Sequence, residues 1–410
     1  MEESVPRVIS AIGFVLMMFI AWLASVNRKK FPWRTVLWGV SIQLGLGLAL
    51  LKTSAGDVFF SLVSEVVERL LEYTNAGTRQ VFGDLMDTGF SFALGVLPIV
   101  VFMGSLFGIL YHLGVVQVFV STLSTLLTRS MKTSPAESLA AVSNVFVGMI
   151  ESCLVIKPYM PNLTRSELFA TMSVGMATVA GSVLLAYVNI LGGGAFAGHL
   201  LTASILSAPA GLLLAKIIVP ETEIPKTATP SGVAVEKAHT NLIDAAAEGA
   251  LNGLRMAAYI GAMLVAFVAL IHMANDILGA MGLWLGIPDL SFQGILGFLL
   301  SPLAFMMGVP WEDAPAVGSL IGVKIVLNEF IAYQELGAQM ANGELTERSR
   351  IIASYALCGF ANFGSLAILL GGIGGMAPGR RPEVARLGLR SILAGSLATF
   401  MTACVAGILL

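Results

Sequence analysis

Charge is what this sequence has least of. Only 12% of its 410 residues are Asp, Glu, Lys or Arg, about half the share of an average soluble chain. A soluble enzyme and a nucleic-acid-binding protein are excluded on that ground, and with a net charge of −2 no basic cluster suggests nucleic acid. Cysteine is also scarce. Cys153, Cys358 and Cys404 are odd in number and lie in apolar sequence, which indicates neither a disulfide framework nor a metal site. The four histidines are scattered without ligand spacing. No organic cofactor is expected.

What replaces charge is apolar sequence, 56% of the residues, with a mean hydropathy of +0.86. No charged residue occurs from Thr88 to Thr128 or from Leu168 to Ala215, and each stretch is long enough for two helical spans of about 20 residues. Shorter uncharged stretches recur at 8–27, 35–51, 256–275, 290–311, 351–379 and 391–410. Barrel strands would alternate apolar and polar residues. Segments such as Phe14-Val-Leu-Met-Met-Phe-Ile-Ala-Trp-Leu23 are apolar all round, so the expected class is an all-α polytopic membrane protein. The first apolar stretch is too long for a signal peptide and is expected to stay as helix one.

Orientation follows from the basic turns. Arg28, Lys29, Lys30 and Arg34 share one short loop, and Arg380, Arg381, Arg386 and Arg390 precede the last helix. The positive-inside rule predicts both on the cytoplasmic side, with the N- and C-termini outside. Residues 54–83 carry Glu65, Glu68, Arg69 and Glu72 among apolar residues, as suits a helix lying in the interface. The segment Pro220–Ala238 resembles a soluble linker and divides the chain. On either side lies a weak repeat: Leu163-Thr-Arg-Ser-Glu followed by Gly175-Met-Ala-Thr-Val-Ala-Gly-Ser, and Leu345-Thr-Glu-Arg-Ser followed by Gly359-Phe-Ala-Asn-Phe-Gly-Ser. Paired Gly-interrupted segments point to a transporter built from repeats, with substrate where broken helices meet. The expected division is 1–90 scaffold and interfacial helix, 91–219 first repeat, 220–245 linker, 246–378 second repeat and 379–410 final helix.

Two carboxylates stand in these apolar segments, Glu151 and Glu329. Each costs about 2.5 to 3.5 kcal/mol near the bilayer centre even on a lenient scale, so each must face protein, water, an ion or a substrate. An ion pair with Lys157 or Lys324 is the structural alternative. Asn362 and Ser365 lie beside Gly359 and Gly364, where a helix is hard to sustain. Two acceptor-only acids with an amide and a hydroxyl suit a neutral ligand bearing several hydroxyls. Polar packing between helices is the other reading, especially for Ser365. Asn144 and Thr178 flank Gly-interrupted segments and make a candidate cation site, although both residue types also cap and pack membrane helices.

The motifs Asn144-Val-Phe-Val-Gly-x-x-Glu151, Gly308-Val-Pro-Trp311, Gly322-x-Lys-x-x-x-Asn-Glu-Phe330 and Cys358-Gly-Phe-Ala-Asn-x-x-Ser365 resemble the concentrative nucleoside transporter family, and the resemblance runs almost end to end. It implies a homotrimer in the bacterial inner membrane. Each protomer would have eight transmembrane helices, two re-entrant hairpins and an interfacial helix, with an inverted-repeat transport domain moving like an elevator against the scaffold. Carried over by motif, Glu151, Glu329, Asn362 and Ser365 would hold the ribose hydroxyls, with Phe360 beside the nucleoside. Asn144, Val147, Thr178 and Val179 would hold sodium, the valines through their carbonyls. Proton-coupled relatives tend to lose the Asn at position 144, so sodium is the expected coupling ion.

The chain departs from the family at the nucleobase. Most members place Gln and a small polar residue where Met149 and Ile150 stand. Met at this position, with Val at 183, occurs in purine-preferring members, which predicts a purine preference; broad or altered base selectivity is the alternative. Gly95 is a second departure, where relatives often carry Arg. The expected function is sodium-coupled nucleoside import, the nearest alternative a proton-coupled permease. A channel and a membrane enzyme are disfavoured by the repeat and by the lack of a nucleophile–base set.

Overall fold

The computed structural model describes residues 4–88, 91–228, 240–287 and 290–410, all helix and turn with no strand among them. Residues 229–239 of the expected linker, like Glu2 and Glu3, lie outside the described residues. The first half begins with α1 (Ser4–Leu23), α2 (Trp33–Lys52) and α3 (Ser54–Phe82). A short α4 (Phe92–Gly95) leads into α5 (Leu97–His112), then α6 (Val115–Met131), α7 (Pro135–Val147) and α8 (Met149–Val155). It ends with α9 (Arg165–Ala177), α10 (Gly181–Ile190) and α11 (Ala197–Ile218). The second half opens on α12 (Leu242–Leu285) and α13 (Phe292–Met306), followed by α14 (Ala314–Val326) and α15 (Glu329–Ala341). Then come α16 (Glu347–Leu357), α17 (Phe363–Met376) and α18 (Arg381–Leu409).

The centre is made of α9, α10, α11 and α18, most of whose residues are buried, while α1, α2, α5 and α12 leave most of theirs outside. Helix α18 packs against α1, α9, α11 and α16. Its Thr402 hydroxyl meets Ser207 of α11 at 3.4 Å, and Gln43 of α2 donates to the Leu206 carbonyl at 3.1 Å beside it. These donors find their acceptors within the protein, as hydrocarbon requires, although the Gln43 side-chain oxygen is buried without a partner. Helix α3 is amphipathic as expected, with Val67 and Thr74 buried and an exposed Glu65–Arg69 pair at 2.6 Å.

Seven helices or contiguous pairs among the described residues are long and apolar enough to cross a membrane, against eight expected. Helices α16 and α17, which Cys358–Asn362 separates, fall short of that length at 11 and 14 residues, as do α6, α13 and α14. At 44 residues, α12 is about 66 Å long, twice the roughly 30 Å hydrocarbon layer. It crosses α5 through glycines four apart on both helices. A Cβ on Gly104 or on Gly253 would come within 2.5 Å of the Gly249 or the Val100 carbonyl. This is the small-xxx-small geometry that lets membrane helices approach backbone to backbone.

Two pairs of short helices pack together across breaks, α7 with α8 at Gly148 and α14 with α15 at Leu327–Asn328. Their bases are pinned differently. At the start of α7, the Ser134–Glu137 capping box closes the first turn, and Glu137 makes a buried ion pair with Lys216 of α11 at 2.7 Å. At the start of α14, Asp313 accepts from the Thr346 backbone and hydroxyl at 3.1 and 2.7 Å and from Ser349 at 2.5 Å. Arg348, two residues beyond Thr346, reaches the Gly308 and Gly407 carbonyls at 2.8 and 2.5 Å. The two bases stand at opposite ends of α18: Gly407 is near its C-terminus, whereas Arg380, just before its start, donates to the Leu163 carbonyl at 2.7 Å beside the first base.

Candidate functional site

Four helix ends converge between the two hairpins. Gly148 ends α7 and starts α8 with φ +104°, a conformation that needs glycine, and a Cβ there would stand 3.0 Å from both Ala180 and the Glu151 carboxylate. Glu151 is therefore delivered in the first turn of α8, against the extended break that separates α9 from α10 at Thr178–Ala180. On the opposite side Asn328 caps α15 by accepting from the Ile331 backbone at 2.9 Å, leaving Glu329 as the first helical residue. Asn362 caps α17 in the same way, accepting from the Ser365 backbone at 2.7 Å. Such caps stabilise a helix start by about 1 kcal/mol. Here they also aim the side chains.

Glu329 is buried at 4% exposure and both of its oxygens are engaged. Tyr187 donates its hydroxyl to Oε1 at 3.0 Å, and the Asn362 amide donates to Oε2 at 2.8 Å. Tyr187 is itself held between Tyr333, stacked at 4.5 Å, and Phe330 at 4.7 Å. The ion pair weighed for Glu329 does not form. Lys324 instead donates to the Ala356 carbonyl at 2.8 Å and to Thr399 at 2.9 Å. Glu151 is exposed to the cavity. A carboxylate oxygen that already accepts one bond still has a second lone pair, so both acids retain acceptor capacity.

All eight residues expected to face a substrate, Met149, Ile150, Glu151, Val183, Glu329, Phe360, Asn362 and Ser365, line this one cavity. The lining combines apolar side chains (Met149, Ile150, Val183, Phe360) with a polar floor of the two acids. Asn362 does more than the sequence indicated, since its amide is committed to Glu329 and its carbonyl to a helix cap. The sequence reading missed Tyr187, the donor to Glu329, and Asn328, the cap that sets its position. The polar tip of a tyrosine in the uncharged run from Leu168 to Ala215 was the available signal, because a buried hydroxyl seeks a partner. Also missed were Met256, Tyr259 and Met263 of α12, which close the cavity. Nothing in the local sequence of α12 distinguishes that face.

The expected cation residues sit behind the hairpin tip. Asn144, Thr178 and Val179 are buried, and the Asn144 amide nitrogen donates to the Val174 carbonyl at 2.9 Å and to the Thr178 hydroxyl. The Asn144 carbonyl oxygen is buried with no hydrogen-bond partner. A buried orphan acceptor is costly. The Thr178 hydroxyl in turn meets the Val174 carbonyl at 3.3 Å, and the Val179 carbonyl accepts from Ser204 at 3.4 Å, so the spare Asn144 oxygen is the one side-chain acceptor here that a hard cation would find unengaged.

Comparison with known proteins places the chain in a family. Models described as the N-terminus and the C-terminus of the Na+ dependent nucleoside transporters match residues 12–85 and 199–407, and a gate model described as nucleoside recognition matches 93–194. The uncharacterized transporter YutK of Bacillus subtilis is 46% identical over 400 residues, covering 97% of this chain and 98% of its own. Mouse solute carrier family 28 member 3 is 42% identical over 417 residues, which cover 98% of this chain and 59% of that protein. The structure of CNTnw in an inward-facing substrate-bound state superposes with a TM-score of 0.93 at 44% identity, over 98% of each chain. This chain belongs to the concentrative nucleoside transporter family.

Proposed function

We propose that this protein is a sodium-coupled symporter that imports nucleosides, with a preference for purines, by an elevator-type alternating access. The observation that carries the reading is the convergence of Glu151 and Glu329, one from each hairpin, with Asn362 and Ser365 on a single cavity. Ribose hydroxyls donate to the two acids, and such charge-assisted bonds are about twice as strong as neutral ones. A substrate lacking those hydroxyls leaves Glu151 with no donor among the described side chains and Glu329 with only Tyr187 and Asn362, and a desolvated carboxylate left short of donors is costly. The nucleobase lies against Met149, Ile150, Val183 and Phe360. Polarizable Met and apolar Ile favour a large flat ring over a pyrimidine edge that seeks an amide. Sodium takes the oxygens of Asn144, Val147, Thr178 and Val179, and the orphan Asn144 oxygen supports sodium over a proton.

Helices of 13 and 7 residues in the first pair, and of 13 and 13 in the second, are each too short to cross. The two pairs are therefore re-entrant hairpins, entering from opposite ends in an inverted repeat, and α16–α17 is the eighth crossing. Residues 91–219 and 246–378 form the repeats. Residues 1–90 and 379–410 flank them, and three copies assemble in the bacterial inner membrane with their termini outside.

Uptake of radiolabelled adenosine and uridine into proteoliposomes, with inward sodium or with choline, tests the reading. Sodium-driven adenosine accumulation that exceeds uridine is expected. Uptake indifferent to sodium and abolished by a protonophore would move the coupling to a proton. Uridine carried as well as adenosine would remove Met149 as a purine determinant.

A further inference from the structure

The two hairpin units can be set in register from their caps. Helices α7 and α14 each carry a proline in the first turn, Pro135 and Pro315, and each meets its break thirteen residues later, at Gly148 and at Asn328. Helices α9 and α16 each follow a threonine N-cap, Thr164 and Thr346. In this register Asn144 stands nine residues beyond Pro135, and Lys324 nine beyond Pro315. The carbonyls they reach, Val174 and Ala356, stand ten residues beyond their threonines. Both side chains thus make one and the same joint, hairpin to broken helix, at 2.9 Å in the first unit and 2.8 Å in the second.

The two joints differ in charge. Asn144 is neutral and has an acceptor oxygen to spare. Lys324 brings an ionisable amine to a position of 0% exposure, held by two neutral oxygens with the Phe400 ring 5.6 Å away. No described carboxylate makes an ion pair with it. A buried ammonium without a paired anion is expensive, and a neutral side chain would fill the same role in packing at less cost. The cation stands where the first unit presents oxygens for one.

We propose that Lys324 is a tethered cation that does in the second unit what the coupling sodium does in the first. It fastens the hairpin to its broken helix and offsets the nearby acid, Glu329 in the second unit and Glu151 in the first. The proposal rests on the sodium reading of Asn144. On this view the second joint is closed permanently and the first closes only with sodium, so the ion completes the Glu151 side of the cavity.

The test uses purified full-length protein, with sodium-dependent thermal stabilisation and calorimetric nucleoside binding as readouts. Asn144→Ala examines the sodium reading alone: stabilisation by sodium that survives this change overturns that reading and the proposal with it. In Asn144→Lys, nucleoside binding is expected to be the same in sodium and in choline, within about tenfold of the wild-type affinity in sodium. In Lys324→Asn, the sodium dependence of stabilisation is expected to steepen from a Hill slope near one towards two. A folded Lys324→Asn protein with unchanged slope and unchanged nucleoside affinity overturns the proposal. Should that variant not fold, Asn144→Lys decides: binding that still needs sodium, or none in either salt, overturns it.

Discussion

Glu329 has a donor on each oxygen before any nucleoside arrives, and that pre-organisation distinguishes it from Glu151. Tyr187 and Asn362 fix the carboxylate, so a ribose hydroxyl meets an acceptor whose direction is already set and whose ordering entropy is already spent. Glu329→Gln is expected to abolish uptake while the protein still purifies as a folded species, because the amide presents a donor where the hydroxyl needs an acceptor. Tyr187→Phe keeps the stacked ring and removes only the bond. Nucleoside affinity is expected to fall about tenfold, the loss of one hydrogen bond to a charged group, measured by equilibrium binding in detergent. Tyr187→Phe binding at wild-type strength would show that the tyrosine only packs. The acids were legible from sequence because charge in an apolar run is conspicuous. Tyr187 was not, since its ring belongs to the apolar background and only its hydroxyl is chemistry.

Among the elements, breaks matter as much as helices. Gly148, Thr178–Ala180, Asn328 and Cys358–Asn362 are the points where backbone order is interrupted, and every residue of the cavity floor lies within a turn of one of them. Glycine spacing revealed most of these breaks in the sequence. The pairing of α5 with α12 was not visible there, because glycines four apart state that a helix can be approached closely without naming the partner. The contact carries its own prediction. Gly253→Ala drives a methyl towards the Val100 carbonyl, which cannot retreat as a flexible side chain would, whereas nothing lies within 4 Å of the Cβ position at Gly279 on the same helix. Overpacking typically costs about 1–3 kcal/mol, so the Gly253→Ala protein is expected to melt several degrees lower and Gly279→Ala to match the wild type. Equal melting temperatures would mean that the crossing yields without cost.

Across the whole molecule, positive charge collects at one end. The backbone at Val26 meets the Ile218 carbonyl at 2.9 Å, Arg34 reaches the Ser130 carbonyl at 3.1 Å, and Lys226 reaches Asn162 at 3.1 Å. With Arg380 on Leu163, these contacts gather the basic loops that the sequence shows only as separate clusters. At the far end, Arg7 donates to the Leu410 carbonyl at 2.7 Å, close to Ser10, Met307 and Gly407. The three native cysteines are buried, so single exposed cysteines can report orientation in the intact chain. An impermeant maleimide applied to intact cells is expected to label Glu344→Cys and to reach Lys30→Cys only after permeabilisation. The reverse pattern would invert the topology proposed here.

The seat of α18 also bears on the order in which the protein is made. Helices α9 and α11, which together with it form the centre, are translated long before it. They pack on each other and on α2 and α7, which are made earlier still, but until it arrives the faces that α18 covers have only lipid or the translocation machinery beside them. The interior is thus completed only after the other described helices have been made, and the early spans must wait in the bilayer without their final neighbour. A ribosome that stalls before Arg381 would leave α9, α10 and α11 without the helix that seals them, a species suited to quality control and unsuited to transport.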